Sequence, residues 1–461
     1  MSDTFKSNQS TAASERGGIA QTGLPAKVKR WSSAASFGRN MDAGTVPSAT
    51  QRWARSLVRS HLQKMHRGLL VLNEPDGGSH TFGNVVHNGQ TNVAAMDSQF
   101  QPITATINLR NPAAYTAIAF NGVVGAAEGY MDGHWTTPDL LAVIRFFVSN
   151  IQDLKNMDGE RSVGNRIALN LLSRVTRNSL TGSRKNISAH YDLGNDFFEL
   201  FLDPTMMYSA ALFEGRDITL NQASTAKLQR ICEKLELKPT DHLVEIGTGW
   251  GGMAVHAATH FGCKVTTTTI SRQQHDYTRE LVKARGLEDK ITVVMKDYRE
   301  LSGKFDKLVS IEMIEAVGHK YFSGYFQKCS HLLKPHGLML IQAITITDQR
   351  YEQARKSVDF IQRYIFPGGC LPSLSVIANH VAKVTDMGVV TVSDMSRDYA
   401  RTLRCWRESF EAAEEQIRAL GFDDRFMRMW LYYLCYCEGG FMERVINSTQ
   451  IVIAKPDYRT Y

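Results

Sequence analysis

Several features by which secreted, metal-binding and membrane-spanning proteins are recognised are missing from this sequence. The seven cysteines are an odd number, and Cys435 and Cys437 have neither a C-x-x-C nor a zinc-site spacing. The first residues are polar, and no apolar run approaches the roughly 20 residues of a membrane-spanning helix. We therefore expect a reduced, cytoplasmic protein without a metal site, whose contact with any membrane is peripheral.

Runs of basic residues interleaved with aromatic residues are also missing. The net charge is +7, but the 53 Lys and Arg residues are scattered along the chain. A positive balance favours anionic partners, such as an acidic substrate or an anionic membrane surface. The scattered pattern argues against nucleic acid, which we do not expect as a partner.

Large apolar residues are scarce in residues 1–51, which are rich in Ser, Ala, Gly and Thr. Such a segment cannot bury enough surface to offset the entropy cost of ordering it, so we expect a disordered leader. Residues 52–150 carry helix and strand patterns around a Pro-Asp-Gly-Gly turn, which predicts a small α+β domain. Residues 151–186 form a predicted linker with one helix, and residues 187–461 form the main domain.

A glycine-rich turn lies at the start of the predicted sheet of the main domain. The short apolar run of residues 243–246, interrupted only by Glu245, is followed at once by glycine. Four glycines fall within six residues, at Gly247, Gly249, Gly251 and Gly252. A buried strand, a glycine turn and a helix indicate a nucleotide-binding βα unit, because glycine lets the backbone approach a ligand closely. A tight turn without a ligand is the alternative.

An acidic residue is missing at the end of the second predicted strand, residues 264–270. This strand ends Thr-Thr-Thr-Ile before Ser271. A dinucleotide site uses a carboxylate near this position to bind the ribose. The absence disfavours a pyrophosphate cofactor and favours an adenosyl cofactor without phosphates, with Glu245 beside it.

Strands and helices alternate from residue 243 onward, which predicts an α/β fold. Further strands are predicted at residues 291–295, 307–311 and 338–344, with a last antiparallel strand at residues 451–453 on the sheet edge. Ligands of open α/β sheets lie outside the carboxyl ends of the strands. The polar residues predicted at these ends are Glu245, Thr269, Asp297, Glu315 and Gln342.

Aromatic residues are concentrated in two long predicted helices, residues 396–420 and 424–444. Most of them are expected to pack in a core. The alternative is an aromatic-lined tunnel for an acyl chain. Aromatic and small polar residues also occupy the stretch ahead of the glycine turn, residues 190–215, which fits a lid or a packed helical cap.

Five stretches of the chain resemble the cyclopropane-fatty-acyl-phospholipid synthases. They are residues 190–211, the Glu-Ile-Gly-Thr-Gly-Trp-Gly-Gly turn, the Asp-Tyr-Arg triplet at 297–299, residues 310–318, and the Tyr-Ile-Phe-Pro-Gly-Gly-Cys-Leu-Pro-Ser loop at 364–373. The similarity extends from about residue 186 to the C-terminus and, more loosely, over residues 52–150. It implies a class I S-adenosyl-L-methionine (SAM)-dependent methyltransferase fold with a doubly wound, mostly parallel sheet.

The resemblance also implies a set of site residues. The family's SAM contacts match Tyr191, Ser209, Gly247, Gly249, Thr269, Gln274, Tyr298 and Arg299. The family holds a bicarbonate ion as general base, and members of that ion site match Glu315, Ile344 and Tyr399. Two further ion ligands are replaced, a cysteine by Ala210 and a histidine by Gln342, and Ala316 replaces another common histidine. We expect a retained ion of weaker affinity, with the Gln342 amide in place of imidazole; direct proton removal by Glu315 is the alternative.

The activity implied is SAM-dependent transfer of a methyl carbon to the cis double bond of an unsaturated acyl chain in a membrane phospholipid, forming a cyclopropane ring. Two alternatives stay open because ion ligands are replaced. One is an enzyme that forms methylene- or methyl-branched acyl chains, and the other is a non-catalytic lipid-binding protein on this scaffold. The implied location is the inner face of the membrane, and the sequence leaves open whether the protein is a homodimer.

Overall fold

The computed structural model describes residues 48–84, 103–152 and 193–459. Three sequence predictions lie outside these residues: the leader up to residue 47, the helix of the predicted linker and the SAM contact at Tyr191. The predicted leader extends too far, because the first helix begins at Ala49. Ser48 caps this helix by accepting a hydrogen bond from the backbone N–H of Gln51 at 3.2 Å, a common signal for a helix start.

A small mixed sheet forms the first layer of the molecule. Its elements are α1 (Ala49–Leu62), β1 (Gly68–Asn73), β2 (Ser79–Asn84), β3 (Thr104–Leu109), α2 (Ala113–Met131), β4 (Trp135–Thr136) and α3 (Leu140–Ser149). The strand order is β2-β1-β3-β4. Strand β1 is antiparallel to β2 and parallel to β3, so the predicted hairpin around the Pro-Asp-Gly-Gly turn is confirmed.

Helix α2 bends in its middle at Gly122, which has φ 54° and ψ −129°. This conformation lies outside the helical region and is accessible to glycine without a steric cost. Phe120 and Val123 flank the bend and are 53% and 39% exposed. The bend therefore carries apolar side chains that the core does not cover.

A larger sheet and its helices form the rest of the described chain. The elements are α4 (Asn195–Glu199), α5 (Leu220–Lys234), β5 (His242–Ile246), α6 (Gly252–His256), β6 (Lys264–Thr268), α7 (Arg272–Ala284), β7 (Ile291–Val294), β8 (Phe305–Ile311), α8 (Phe322–Leu332), β9 (Leu333–Ile346), α9 (Asp348–Ala354), α10 (Leu374–Val384), β10 (Gly388–Asp394), α11 (Ser396–Ala412), α12 (Glu414–Ala419), α13 (Asp424–Met442) and β11 (Ile446–Ala454). The seven strands run in the order β10-β11-β9-β8-β5-β6-β7. The alternation of strands and helices confirms the predicted α/β class.

The order of the strands reverses at β5. Strand β5 lies between β6 and β8 and is parallel to both. The chain adds β6 and β7 on one side of β5 and then returns to add β8 and β9 on the other. The loops after β5 and β8 therefore diverge and leave a crevice at the carboxyl ends of these strands, where open α/β sheets bind ligands.

The last strand is longer and more central than the sequence predicts. Strand β11 pairs antiparallel with both β9 and β10, so β10 forms the edge of the sheet. No strand is predicted for β10 from the sequence. Val389, Val390 and Val392 of β10 are all more than 40% exposed, so this strand lacks the buried-and-exposed alternation that identifies a half-buried strand.

Helix α13 connects the two sheets. It packs against α11 on one side and against α2 and α3 on the other. Trp430 of α13 meets Phe197 of α4 edge to face, with ring centroids 4.9 Å apart. Trp406 and Phe410 of α11 are also buried in this cluster. These rings confirm the core interpretation for a large part of the aromatic C-terminal helices.

Within residues 48–84, 103–152 and 193–459, no helix is both long and apolar enough to cross a membrane. The same ranges contain no group of three His, Cys, Asp or Glu side chains that is suited to a metal ion. The seven cysteines lie within these residues as free thiols.

The central strand β8 should carry a large part of the stability of the sheet. We expect Leu308→Ala to lower the free energy of unfolding by about 2–5 kcal/mol, because Leu308 is fully buried and its truncation leaves a cavity. Val390→Ala on the edge strand is the matched control and should change this free energy by about 0.5 kcal/mol or less. Denaturant unfolding followed by circular dichroism measures both, and equal losses would contradict the assignment of β8 to the core.

Candidate active site

One cavity of about 1150 Å³ extends between the small sheet and the carboxyl ends of β5 and β8. Its apolar part includes Leu70, Leu72 and Ile107 of the small sheet and Ile144 and Phe147 of α3. Its other part includes the glycine turn and the residues that follow the parallel strands. The volume exceeds the roughly 300–1,000 Å³ of ordinary small-molecule sites, so there is room for two ligands side by side.

The glycine turn after β5 adopts conformations that favour glycine. Gly249 has φ 52°, and a Cβ atom placed on it would meet no atom within 4 Å, so its backbone faces open space in the cavity. Gly251 has φ 88°, and a Cβ atom there would lie 2.6 Å from Thr278 Cγ2 of α7. Gly249 therefore leaves room for a ligand, and Gly251 lets the turn pack against a helix.

A buried carboxyl group and a buried ammonium group lie beside this turn. Glu245 is 2% exposed, and its Oε2 atom has no hydrogen-bond partner among the described residues. Burial raises the pKa of Glu245 to about 8. Lys227 of α5 is fully buried and donates a hydrogen bond from Nζ to Ser209 Oγ at 2.8 Å. Burial lowers the pKa of Lys227 to about 8, while the carboxylates of Glu312, Asp203 and Glu245 oppose this shift.

The predicted residues after β6 lie together at the start of α7. Thr269 donates a hydrogen bond from Oγ1 to Gln274 Oε1 at 2.9 Å. The backbone N–H of Ser271 donates to Thr269 Oγ1 at 3.1 Å. Both Thr269 and Gln274 line the cavity, so the structure brings these two predicted cofactor residues to one place.

The predicted residues after β7 are held by an ion pair. Arg299 donates to both carboxylate oxygens of Asp297, at 2.8 Å from Nε and 2.7 Å from Nη2. This fork-like pairing fixes the guanidinium plane. The guanidinium carbon also lies 5.6 Å from the ring centre of Tyr298. Tyr298 and Arg299 both line the cavity, and the charge of Arg299 is balanced by Asp297.

The structure corrects the predicted grouping of side chains around Glu315, which follows β8. Tyr399 and Gln342 are predicted to join Glu315, but both side chains donate to Glu312. Tyr399 OH lies 2.6 Å from Glu312 Oε2, and Gln342 Nε2 lies 2.9 Å from Oε1. The backbone N–H of Ala210 also donates to Oε1, at 2.9 Å. Gln342 is completely buried and lies within the long strand β9, beyond the wall of the cavity.

Glu315 occupies a separate position on the 3-10 turn that follows. Its Oε1 accepts a hydrogen bond from the backbone N–H of Ile344 at 2.5 Å, so the predicted pairing of Glu315 with Ile344 is present. Its Oε2 is buried without a partner among the described residues. Burial, and secondly the charge of Glu312, raise the pKa of Glu315 to about 8.

The backbone at Glu312 is in the left-handed region, with φ 49°. Such a conformation is uncommon for a residue other than glycine and costs roughly 1–3 kcal/mol. It persists only where the surroundings determine it, and the three donors to the carboxylate supply that constraint. The turn directs the Glu312 side chain towards Ala210 and Tyr399 instead of continuing along the strand.

Two groups of this site, Glu312 and Lys227, are not predicted from the sequence. In the sequence, Glu312 is the first of two acidic residues after β8, but their spacing alone does not indicate which of the two side chains points into the site. Lys227 lies on an amphipathic helix, where a lysine is normally expected at the surface. Of the aromatic residues on α11 and α13, Tyr399, Tyr432, Tyr433, Tyr436 and Phe441 line the cavity, which supports the tunnel interpretation for this subset.

The open space at Gly249 and the unpaired Glu245 Oε2 fit the nucleoside part of a ligand, which offers hydroxyl and amino donors. Thr269 and Gln274 add further polar groups at the adjacent strand end, and the described strand end carries no carboxylate. The geometry therefore agrees with the expected adenosyl cofactor. Tyr191, which completes the predicted set, lies outside the described residues.

The chain is similar in sequence to known proteins. Residues 178–451 match the family model described as mycolic acid cyclopropane synthetase. The chain is 37% identical over 356 residues to cyclopropane-fatty-acyl-phospholipid synthase of Escherichia coli strain K12, which covers 76% of this chain and 88% of that one. It is 34% identical over 348 residues to tuberculostearic acid methyltransferase UfaA1 of Mycobacterium tuberculosis, with 72% and 79% covered.

A solved structure shows the same fold. The mycolic acid cyclopropane synthase CmaA1, complexed with SAH and CTAB, is 31% identical to this chain with a TM-score of 0.56. The match covers 59% of this chain and 98% of that one. Together with the mostly parallel seven-stranded sheet, these similarities confirm the predicted class I SAM-dependent methyltransferase fold.

The glycine turn leads to a direct test of the cofactor position. We expect Gly249→Val to weaken SAM binding at least tenfold, which corresponds to about 1.4 kcal/mol, because the side chain would occupy the open space of the cavity. Isothermal titration calorimetry with SAM measures the effect.

Gly286→Val is the matched control for this test. Gly286 also has a positive φ, of 62°, and a Cβ atom placed on it would meet no atom within 4 Å, but it does not line the cavity. Both variants should therefore suffer similar backbone strain, and only the variant at Gly249 should lose affinity. Similar affinities of the two variants for SAM would contradict the assignment of the turn to the cofactor.

Proposed function

The chain belongs to the mycolic acid cyclopropane synthetase family, and we propose that it methylates the cis double bond of unsaturated acyl chains in membrane phospholipids, forming a cyclopropane ring. It is a SAM-dependent methyltransferase. The observation that carries the proposal is the continuity of the cavity, because one space includes both the glycine turn and a long apolar wall from the small sheet. An acyl chain along this wall would place a double bond next to the cofactor position.

The residues around the glycine turn are proposed to hold SAM. Gly247 and Gly249 would leave room for the backbone to approach it. Polar groups would come from Ser209, Glu245, Thr269 and Gln274, and the far side would be closed by Tyr298 and Arg299. Tyr191 is proposed on the resemblance alone. When bound, SAM supplies a methyl group made electrophilic by a positively charged sulfur. The chain itself must orient the weakly nucleophilic double bond in line with that group and exclude water.

Aromatic side chains near the carboxylates suit a positive charge that develops on an acyl chain. Tyr399 and Phe441 are stacked with ring centres 4.4 Å apart, and both line the cavity. Tyr433 also lines the cavity and shares a hydrogen bond with Tyr208 between their hydroxyl groups, at 2.9 Å. Aromatic faces attract a cation without forming a covalent bond to it, so these rings would protect the intermediate.

A phospholipid in a membrane is supported by the surface around the bend of α2. Val123 is partly exposed and also lines the cavity. Arg363, which also lines the cavity, pairs with Glu128 of α2 at 3.1 Å. Lys356 lines the cavity as well, and its side chain is 66% exposed. Partly exposed apolar and basic side chains along the same cavity are the combination expected where an anionic lipid enters.

Formation of a methylene or methyl branch is the second candidate. A relative named tuberculostearic acid methyltransferase is 34% identical to this chain, and three of the donors expected for the family's ion, those of Ala210, Gln342 and Tyr399, contact Glu312 in this chain. A ring and a methylene branch arise from the same methyl transfer and from loss of a proton from the same transferred methyl group. They differ in whether a hydride shift moves the cation to the methylated carbon before the proton leaves. Membrane attachment, phospholipid specificity and the ring are therefore separate parts of the proposal, each with its own measurement.

The product assay uses the purified full chain, SAM and vesicles of dioleoyl phospholipid. We expect SAM-dependent addition of one carbon and two hydrogens to each modified oleoyl chain, detected by mass spectrometry. Saturated distearoyl vesicles are the control and should give no product, because they have no double bond. Fragmentation and chromatography then separate a ring from a methylene branch, which have equal mass. Absence of any modified lipid would contradict the proposed substrate.

Vesicle binding tests the proposed membrane contact. We expect tighter binding to anionic than to neutral vesicles, with added salt reducing the difference by screening. Lys356→Gln should weaken binding to anionic vesicles by about fivefold, since a basic residue near such a surface contributes about 1 kcal/mol. Lys283→Gln removes the same charge from the exposed surface of α7, away from the cavity, and is the matched control. Equal effects of the two substitutions would contradict the assigned membrane face.

A further inference from the structure

The groups expected to hold a bicarbonate ion already donate to carboxylates of this chain. Ala210 N–H, the Gln342 amide and Tyr399 OH all donate to Glu312, at distances of 2.9, 2.9 and 2.6 Å. The remaining expected group, the backbone N–H of Ile344, donates to Glu315. The residues present therefore do not fit an additional ion in the expected position.

We propose that the Glu312 carboxylate is the general base of this enzyme and takes the place of an external ion. This inference rests on the proposed function, since it concerns the proton that must leave after methyl transfer. Glu312 lines the cavity and follows β8 directly, at the crevice where the strand order reverses. In the expected arrangement, a bound ion is the base and Glu315 helps to bind that ion; Glu312 replaces this arrangement.

The orientation of the Gln342 amide follows from a chain of hydrogen bonds. Lys234 Nζ, which can only donate, lies 2.9 Å from Gln450 Oε1. Gln450 Nε2 then donates to Gln342 Oε1 at 3.0 Å. The Nε2 group of Gln342 is thereby directed at Glu312. The relay ends on two acceptors, Glu312 Oε1 at 2.9 Å and the backbone carbonyl of Ala210 at 3.3 Å, and an ionised carboxylate suits the first position because both of its oxygens accept.

The distribution of donors leaves one oxygen of Glu312 able to accept a proton. Oε1 receives both Ala210 N–H and the Gln342 amide, whereas Oε2 receives only Tyr399 OH among the described residues. A carboxylate oxygen has two lone-pair sites, so Oε2 keeps one of them. Glu315 receives a single described donor, and two neighbouring buried carboxyls do not both ionise readily. The negative charge is therefore favoured on Glu312.

The proton step balances without any further reactant. During methyl transfer, the π electron pair of the acyl double bond forms the new carbon–carbon bond, and the carbon–sulfur bond breaks with its pair on sulfur. One acyl carbon is then cationic. A C–H bond of the transferred methyl group breaks, its proton goes to Glu312, and its electron pair closes the ring on that carbon. If a hydride first shifts from the methylated carbon to the cationic carbon, the cation moves to the methylated carbon, and the same C–H pair forms a methylene double bond.

A purely structural role is the main alternative, because Glu312 also joins the segment of Ala210 to β9 and α11. Both roles predict damage when Glu312 is changed, so loss of activity alone does not separate them. Replacement of the missing carboxylate by a soluble one does separate them. A small anion can act as a base at the vacated donors, whereas it cannot restore the covalent attachment of the carboxylate to the end of β8.

The first measurement is turnover of the unchanged protein with dioleoyl vesicles in buffer depleted of carbon dioxide and bicarbonate. We expect turnover within twofold of that in buffer with added sodium bicarbonate, since the base belongs to the chain. Activity that disappears on depletion and returns with bicarbonate would overturn the inference while leaving the proposed function intact. Absence of lipid methylation under both conditions would instead reject the proposed function.

The second measurement compares Glu312 variants. Glu312→Gln should lower turnover about 100-fold, in line with the loss of a general base, while SAM binding by calorimetry stays within threefold. Glu438→Gln is the matched control: Glu438 is a fully buried carboxylate that pairs with Arg407 at 2.9 Å and does not line the cavity. Its turnover per SAM-binding molecule should stay within threefold of the parent. Equal losses in both variants would overturn the inference.

The third measurement is chemical rescue of Glu312→Gly. Glycine adopts the φ of 49° without strain, and the substitution frees the three donors around the missing carboxylate. We expect sodium bicarbonate or sodium formate to raise turnover of this variant at least tenfold and to leave Glu438→Gln unchanged. A variant that binds SAM but is not rescued by either anion would overturn the inference. If the glycine variant fails to fold, the depletion experiment and Glu312→Gln still decide.

Discussion

The burial of two carboxyl groups at the end of β8 is the constraint on which the candidate site depends. A carboxylate removed from water is costly unless donors surround it. Glu312 meets this requirement with one donor each from the segment before α5, from β9 and from α11. The same three hydrogen bonds hold these elements against the end of the sheet. The chemistry proposed for this carboxylate and the local architecture therefore have a common origin.

Charge in this region is balanced over several buried groups. Lys227 lies close enough to Glu245 and Glu312 for their charges to counteract the effect of burial on its own pKa. Burial and the charge of Glu312 raise the pKa of Glu315, so this carboxyl keeps its proton more easily. The low dielectric of a buried site strengthens such interactions in both directions. The carboxylates that oppose the lowering of the Lys227 pKa would also attract the positive sulfur of a bound cofactor.

The second architectural condition is the continuity of the cavity. The parallel sheet alone supplies the glycine turn and the carboxylates, whereas the small sheet and α3 supply the apolar wall. Helix α13 packs on elements of both layers and contributes Tyr432, Tyr433 and Tyr436 to the lining. A reactive cationic intermediate needs both parts, because the polar end performs the proton chemistry and the apolar wall keeps water away.

Local patterns in the sequence determined the parts of the structure that depend on neighbouring residues. The glycine turn, the strands around it, the Pro-Asp-Gly-Gly hairpin and the absence of an acid after β6 all follow from short stretches. The edge strand β10 did not, since its exposed valines carry no burial pattern. The position of β11 inside the sheet also depends on pairing with distant strands.

The identity of the carboxylate at the centre of the site was decided by tertiary structure alone. Glu312 and Glu315 are three residues apart after the same strand, and nothing in their spacing distinguishes their roles. The left-handed φ at Glu312 turns its side chain to donors that lie 102, 30 and 87 residues away along the chain. Sequence determines which acidic residues are present at the strand end, whereas only the packing of distant elements determines which of them receives the hydrogen bonds.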